Sequence, residues 1–298
     1  MEIRAVDSGD LSGIRAITAA TGQSDQDSGA DQEYVELIRS HGLAKVAVSG
    51  GAVLGWAGAM PTPLGTVLTD LFVDPAVHAR GVGSALLRAL PSLRFTFSST
   101  HPAAMPLYVR AGLVPSWPLL YLSGPVSHLP SGVLRTTDAD AASAASAEAA
   151  VVPGGAVHGA GRAGVSDEAG RTGASPVGGD AGASRMGGRA AVYRYWSRAG
   201  RAFVVRDGER VIAVGAGRPG VPGVLTHLTC SDPRSAAGAL YAALLGLGSE
   251  YVALCLPGPH PALRMLLNAG FRIDDFDVAM RAPTLDLPST WTYAPGLA

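Results

Sequence analysis

"HARGVGSALL", residues 78–87, lies between "VLTDLFVDP" (67–75) and "RALPSLRF" (88–95). The first flank, rich in β-branched and aliphatic residues, predicts a strand over 66–73. The pattern after the glycines predicts a helix over 82–91. A strand that turns sharply into a helix exposes amide N–H groups with no partner inside the helix. Together with the positive end of the helix dipole they attract an anion. Gly81 and Gly83 let a bulky phosphate approach the backbone, and Arg80 supplies a charged donor suited to it. The stretch therefore reads as a diphosphate cradle; the other reading is a glycine-rich turn with no ligand. A P-loop would end in Lys-Ser/Thr, and a dinucleotide fingerprint needs a third spaced glycine in a repeated parallel pattern. The sequence has neither.

Outward from this stretch the chain repeats itself. Shifted by 158 residues, 44–112 falls on 202–270 without a gap: "DPAVHARGVGSALL" (74–87) on "DPRSAAGALYAALL" (232–245), and "AMPLYVRAG" (104–112) on "ALRMLLNAG" (262–270). A gapless register of this kind marks a duplicated unit. At the front, 3–20 resembles 134–150 at an offset of 131. The extra 27 residues therefore fall inside the second repeat, after its first helix. There, 151–190 is mostly Gly, Ala and Ser, with no aromatic residue and no helical or strand period. Such a composition predicts a flexible insertion. Each repeat reads as a strand (2–6), a helix to about 20 capped by Asp7 or Ser8, and a helix over 31–41. A hairpin (45–49, 52–60) joined at Gly50-Gly51 comes next, then a strand over 66–73, a helix over 82–91 and a strand over 93–98. A helix over 102–111 and a strand over 117–122 close the unit. This order predicts an α+β protein of two tandem domains, 1–125 and 126–298, each a mixed, mostly antiparallel sheet flanked by helices.

Bulk properties narrow the function classes. With 47% hydrophobic and 16% charged residues and a net charge of −1, the chain is expected to fold and to have no global attraction to nucleic acid or acidic membranes. It opens on no basic and apolar leader and has no run of 18 apolar residues, so the expected compartment is the cytoplasm and no membrane partner is expected. Cys230 and Cys255 both lie in apolar runs and read as reduced core residues. No metal site is expected.

The surroundings of the turn sharpen its meaning. "LFVDPAVHARGVGSALL" (71–87), followed by a strand and "HPAAMPLYVRAGL" (101–113), resembles the Gcn5-related N-acetyltransferase (GNAT) family. The family's turn reads Gln/Arg-x-x-Gly-x-Gly/Ala, here His78-x-x-Gly81-x-Gly83. Its later motif, Asn-x-x-Ala-x-x-Leu-Tyr-x-x-x-Gly-Phe, is met by Ala104, Leu107, Tyr108 and Gly112, with His101 for Asn and Leu113 for Phe. The resemblance implies acetyl-CoA as cosubstrate. The backbone of Leu71, Phe72 and Val73 would hold the pantetheine arm, and the amides from Arg80 through Gly81, Val82, Gly83 and Ser84 to Ala85 the pyrophosphate, with His101 nearby. In the second repeat Arg80-Gly81-Val82-Gly83 becomes Gly238-Ala239-Leu240-Tyr241, and Leu266 stands in place of Tyr108. The C-terminal copy is therefore expected to keep the fold and lack the cofactor.

Acetyl transfer to an amine needs a neutral nucleophile and a proton for the departing thiolate. The resemblance implies Tyr108 as the acid; packing against the sheet is its other reading. Asp70 is the candidate base or acceptor ligand. Thr69, Ser98 and Ser99 are polar candidates for the pocket, and His78 and His101 read more simply as hydrogen-bonded structural residues. Asp25, Asp27, Asp31 and Glu33 could draw in a protonated amine or form a solvated acidic loop. The expected activity is acetyl-CoA-dependent N-acetylation of a small-molecule amine, the alternatives being a CoA-binding module without turnover or acetylation of a protein N-terminus.

Overall fold

The computed structural model describes residues 1–21, 32–152, 181–295 and 297, with the backbone alone for 181–186. The first repeat contains β1 (Glu2–Ala5), α1 (Leu11–Ala20), α2 (Gln32–His41), β2 (Leu43–Ser49), β3 (Ala52–Thr62), β4 (Gly65–Val73), α3 (Val82–Arg88), β5 (Leu93–Ser98), α4 (Ala104–Arg110) and β6 (Val114–Pro125). The second contains β7 (Arg135–Ala139), α5 (Ala141–Val151), α6 (Ala181–Ser197), β8 (Arg201–Asp207), β9 (Arg210–Arg218), β10 (Gly223–Cys230), α7 (Ala236–Gly246), β11 (Tyr251–Pro257), α8 (Leu263–Asn268) and β12 (Arg272–Arg281). Local chemistry sets several of these boundaries. The Asp7 carboxylate accepts the Gly9 amide ahead of α1, and Asp140 accepts the amides of Ala142 and Ser143 at the start of α5. Gly50 and Gly51, at φ 57° and 81°, make the β2–β3 turn that only glycine enters cheaply.

The twelve strands of the described residues form one sheet in the order β1-β2-β3-β4-β5-β12-β6-β11-β10-β9-β8-β7. Among them β4/β5 and β10/β11 run parallel and the other neighbours antiparallel. The two repeats exchange their last strands. β12 pairs with β5 from Val278–Ser98 to Arg281–Phe95, while β6 pairs with β11 from Tyr251–Pro125 to Pro257–Leu119. β6 and β12 also pair with each other. The sequence repeat therefore does not divide the sheet at residue 125, because each half is completed by the other's final strand. In the first half α3 and α4 cover one face, where Val82, Leu86 and Tyr108 pack on Ala57, Ala59 and Leu68. Tyr34 and Ile38 of α2 join the large core with Val46, Trp56 and Val67 on the other.

The structure corrects one expectation. Residues 181–190, assigned by composition to the insertion, belong to α6. Local propensity does not hold that helix; tertiary burial does. Val192, Tyr193 and Trp196 enter the core, and Arg189 is buried in a pair with Glu148 of α5. Residues 153–180 of the expected insertion lie outside the described residues, as do Asp25, Asp27 and Asp31. Among the described residues no helix is long and apolar enough to cross a membrane.

Candidate active site

β4 and β5 are joined only at Thr66–Leu93 and Val67–Phe95. Beyond that point they part, and the β5-facing edge of residues 69–73 has no strand beside it. The parting coincides with a bulge. Gly58 pairs with Asp70 and Ala59 with Leu68, so Thr69 is the extra residue. The bulge puts the Asp70 side chain on the α2 face, where the Tyr34 hydroxyl donates to Asp70 Oδ2 at 2.8 Å. Asp70 is buried, and among the described residues no cation lies against it; burial raises its pKa to about 7, the hydroxyls of Thr69 and Tyr34 holding it back only in part.

Tyr108, on α4, is buried on the opposite face. Burial, and then the carboxylates of Asp277 and Asp70, push its pKa well up, so its hydroxyl keeps its proton at neutral pH. Asp277 comes from β12, the strand contributed by the second repeat. It accepts a 2.5 Å hydrogen bond from Tyr121 of β6, and its own pKa is raised by burial. The gap between β4 and β5 thus gathers two carboxylates and three tyrosines from both repeats. Asp70 and Tyr108 were expected from sequence. Tyr34 was a missed signal, the one aromatic residue on its helix. Asp277 and Tyr121 had no sequence signal, since strand exchange brings them there.

The glycine turn follows β4. Asp74 Oδ1 accepts the Ala76 amide, and a His78 ring N–H donates to the Val73 carbonyl at 2.9 Å. His78 therefore uses one of the three peptide groups expected to face a pantetheine arm. Gly81, at φ 82°, caps α3. Ala79, at φ 62°, carries the same left-handed strain with a side chain. Gly83 does not have a positive φ. It is glycine at a point of close approach, where a β-carbon would stand 3.2 Å from Leu107 Cδ2 and 3.6 Å from Val73 Cγ2. Ala85 N bonds to Gly81 O at 3.0 Å, so helix geometry leaves the amides of Val82, Gly83 and Ser84 facing outward. Arg80 is exposed beside them. His101 Nδ1 accepts the Ala103 amide at 3.2 Å, a local bond just ahead of α4. Ser98 bonds to the Ser99 carbonyl. Glu33 pairs with Arg198, just past the end of α6, and so joins the two repeats.

The second copy is closed at each matching point. α7 begins at Ala236, earlier in register than α3, and the Ala239 amide bonds to Ser235 O at 2.8 Å. What is an open turn in the first copy is helix in the second. β10 and β11 part after Leu225–Leu254, but the C-terminal segment enters that gap. Thr292 N donates to Leu228 O at 2.9 Å, and Trp291 Nε1 donates to Cys230 O at 3.0 Å. Sheet register also places His227 opposite Ala216, as Asp70 stands opposite Gly58. The 158-residue offset is thus out by one in this strand. His227, its pKa lowered first by burial, packs on Trp196 at 4.9 Å and contacts Glu148 at 3.0 Å. Cys230 and Cys255 are free thiols, buried and half-buried respectively.

Comparison with known proteins agrees with this geometry. Residues 13–112 match the model of the Acetyltransferase (GNAT) family. A protein of Pyrococcus horikoshii described as an acetyltransferase overlays on 100% of this chain and 94% of its own, with 13% identity and a TM-score of 0.64. A GCN5-related N-acetyltransferase from Anabaena variabilis overlays on 94% of this chain and 71% of its own (12%, TM-score 0.56). A tandem GNAT protein from the clavulanic acid biosynthesis pathway overlays on 96% and 99% (14%, TM-score 0.54). No curated protein matches by sequence. At these identities the overlays establish the fold, and with the family match they show that this chain carries a GNAT acetyltransferase domain within a GNAT fold that runs through both repeats.

Proposed function

We propose that the protein is an acetyl-CoA-dependent N-acetyltransferase of a small-molecule amine, with a single active site in the gap between β4 and β5. The observation that carries this reading is the buried Asp70, with no cation against it among the described residues, on one side of the gap and Tyr108 on the other. The residues present fit the cosubstrate. The free edge of Leu71–Val73 suits an extended amide-bearing arm, and the outward amides of Val82, Gly83 and Ser84, with Arg80 beside them, suit a pyrophosphate. Bound there, acetyl-CoA supplies the activated acyl carbon. Asp70 takes a proton from the incoming ammonium, since a base near pH 7 is matched to neutral conditions. The amine nitrogen bonds to the acyl carbon as the carbon–sulfur bond breaks. Tyr108 gives its proton to the departing sulfur and is reprotonated by the proton shed from the new amide nitrogen. One proton per turnover, the one first taken by Asp70, passes to solvent. The second copy buttresses the site and supplies Asp277.

The test is thiol release with acetyl-CoA and a panel of amines, measured against pH. Activity is expected to rise with pH through about 7 as Asp70 ionises. Asp70→Asn should lose that limb and about 10²-fold or more of the rate. An unchanged pH limb in Asp70→Asn would remove Asp70 as the base. Tight CoA binding with no turnover on any amine would favour a binding module.

A further inference from the structure

A cavity of about 380 Å³ lies between the two repeats, outside the catalytic gap but touching it at two points. Tyr34, which bonds to Asp70, lines it, and so does Tyr121, which bonds to Asp277. Its other aromatic walls come from the second repeat: Tyr195 and Trp196 of α6, and Tyr293 of the C-terminal segment. Tyr34 and Tyr195 stand 5.8 Å apart, centroid to centroid. Tyr293 is fully buried and sits 5.2 Å from Phe97 of β5. Five aromatic rings thus line this space, and two of them, Tyr34 and Tyr121, bond to the carboxylates of the catalytic gap. The cations at this cavity are engaged: Arg198 pairs with Glu33 and stacks on Tyr195 at 4.4 Å, and Arg218 also has a partner. Asp274, at the same cavity, accepts a 2.5 Å hydrogen bond from Ser123.

From this geometry we infer the acceptor class: a primary amine on a short alkyl arm that carries a flat aromatic ring. The ring fills the cavity, and the ammonium lies toward Asp70 and Asp277. The inference rests on the acetyltransferase reading above. An apolar cavity of roughly 150 Å³ already holds a benzene ring, so this space takes a ring and its arm. Aromatic walls bind such a ring by stacking and attract its ammonium through their faces. The same geometry explains why a copy without a cofactor is kept. Its own gap grips Thr292 and Trp291 and so anchors Tyr293 in the acceptor wall.

The experiment compares 2-phenylethylamine, putrescine, glucosamine and an alanyl dipeptide as acceptors for the full chain, with calorimetry of 2-phenylethylamine alongside. We expect kcat/KM for 2-phenylethylamine at least about 10-fold above the others, the scale a shaped apolar pocket provides. Tyr195→Ala, at a half-buried position, should raise KM for 2-phenylethylamine about 10-fold more than KM for putrescine, and Tyr293→Ala should do the same if it folds. Preference for glucosamine or the dipeptide overturns the acceptor class and leaves the catalytic reading standing. Binding of 2-phenylethylamine without turnover supports the cavity assignment and overturns the catalytic reading. Absence of both binding and turnover with 2-phenylethylamine overturns the inference.

Discussion

Both repeats bury a carboxylate on the helix face of the sheet, and the two are treated in opposite ways. Asp70 has threonine and tyrosine hydroxyls around it and, among the described residues, no cation, so burial carries its pKa up to about 7. Burial alone would also raise Glu148, but the charge and hydrogen bonds of Arg189, helped by His227, hold it well below the usual carboxylate range. A buried acid without a counter-ion is unstable as an anion and therefore able to exchange a proton. A buried acid locked to arginine is only a structural tie. The same contrast holds at the turns. The fold is common to both copies, and among the described residues the first leaves the turn amides open where the second uses them inside α7.

The largest expected effect breaks the contrast at the turn. Gly83→Tyr copies Tyr241 of the second repeat into the first, where even a β-carbon meets Leu107. Overpacking of up to about 3 kcal/mol, taken from the bound state, corresponds to a loss of CoA affinity of up to ~100-fold. Calorimetry should show one CoA per wild-type chain and none for this variant at accessible concentrations. Two equivalent sites in the wild type would end the claim that the copies differ.

Tyr108→Phe removes only the hydroxyl that burial, with Asp277 and Asp70, holds protonated. Turnover should fall about 10²-fold while CoA affinity stays level. Weakened CoA binding with fast single-turnover chemistry would make Tyr108 a packing residue, like Leu266 at the matching place.

Two further effects, read by unfolding rather than by binding or turnover, sharpen the comparison of the two acids. Arg189→Met strands Glu148 and should cost about 3–5 kcal/mol in thermal or denaturant unfolding. Asp70→Asn should do the reverse above neutral pH. Asp70 binds its proton more tightly folded than unfolded, so its contribution is present at low pH and lost as pH rises from about 4 to about 7. The Asn variant should therefore gain on wild type across that window and hold its advantage above it. A flat difference between pH 4 and 8 would show that Asp70 is not perturbed.

Much of the fold was legible in the residues, for local reasons. Gly50-Gly51 reads as a tight turn, Asp7 or Ser8 as a helix cap, and Gly81 with Gly83 as a sharp turn from strand to helix. The repeat was legible because the same alternation of strand and helix recurs at a fixed spacing. The helix over 181–190 was not legible. Its Gly/Ala/Ser composition has no period, and only the burial of Arg189 against Glu148, with Tyr193 and Trp196 following, makes the helical state favourable. The one-residue slip between β4 and β10 was hidden as well, because a bulge alters pairing without altering composition.

By itself, then, the sequence determined the order of elements, the glycine turn with Asp70 and Tyr108 on either side of it, and the loss of that turn in the second copy. Each of these follows from residues within a few positions of one another, whose backbone preferences act before any distant contact forms. Only the tertiary structure decided that β6 and β12 change places, that Asp277 reaches Tyr108, and that Thr292 closes the second gap. Strand pairing is made by backbone N–H and C=O groups, which every residue but proline carries alike. Which strand finds which edge is therefore settled by how the whole core packs, and no short stretch of sequence records it.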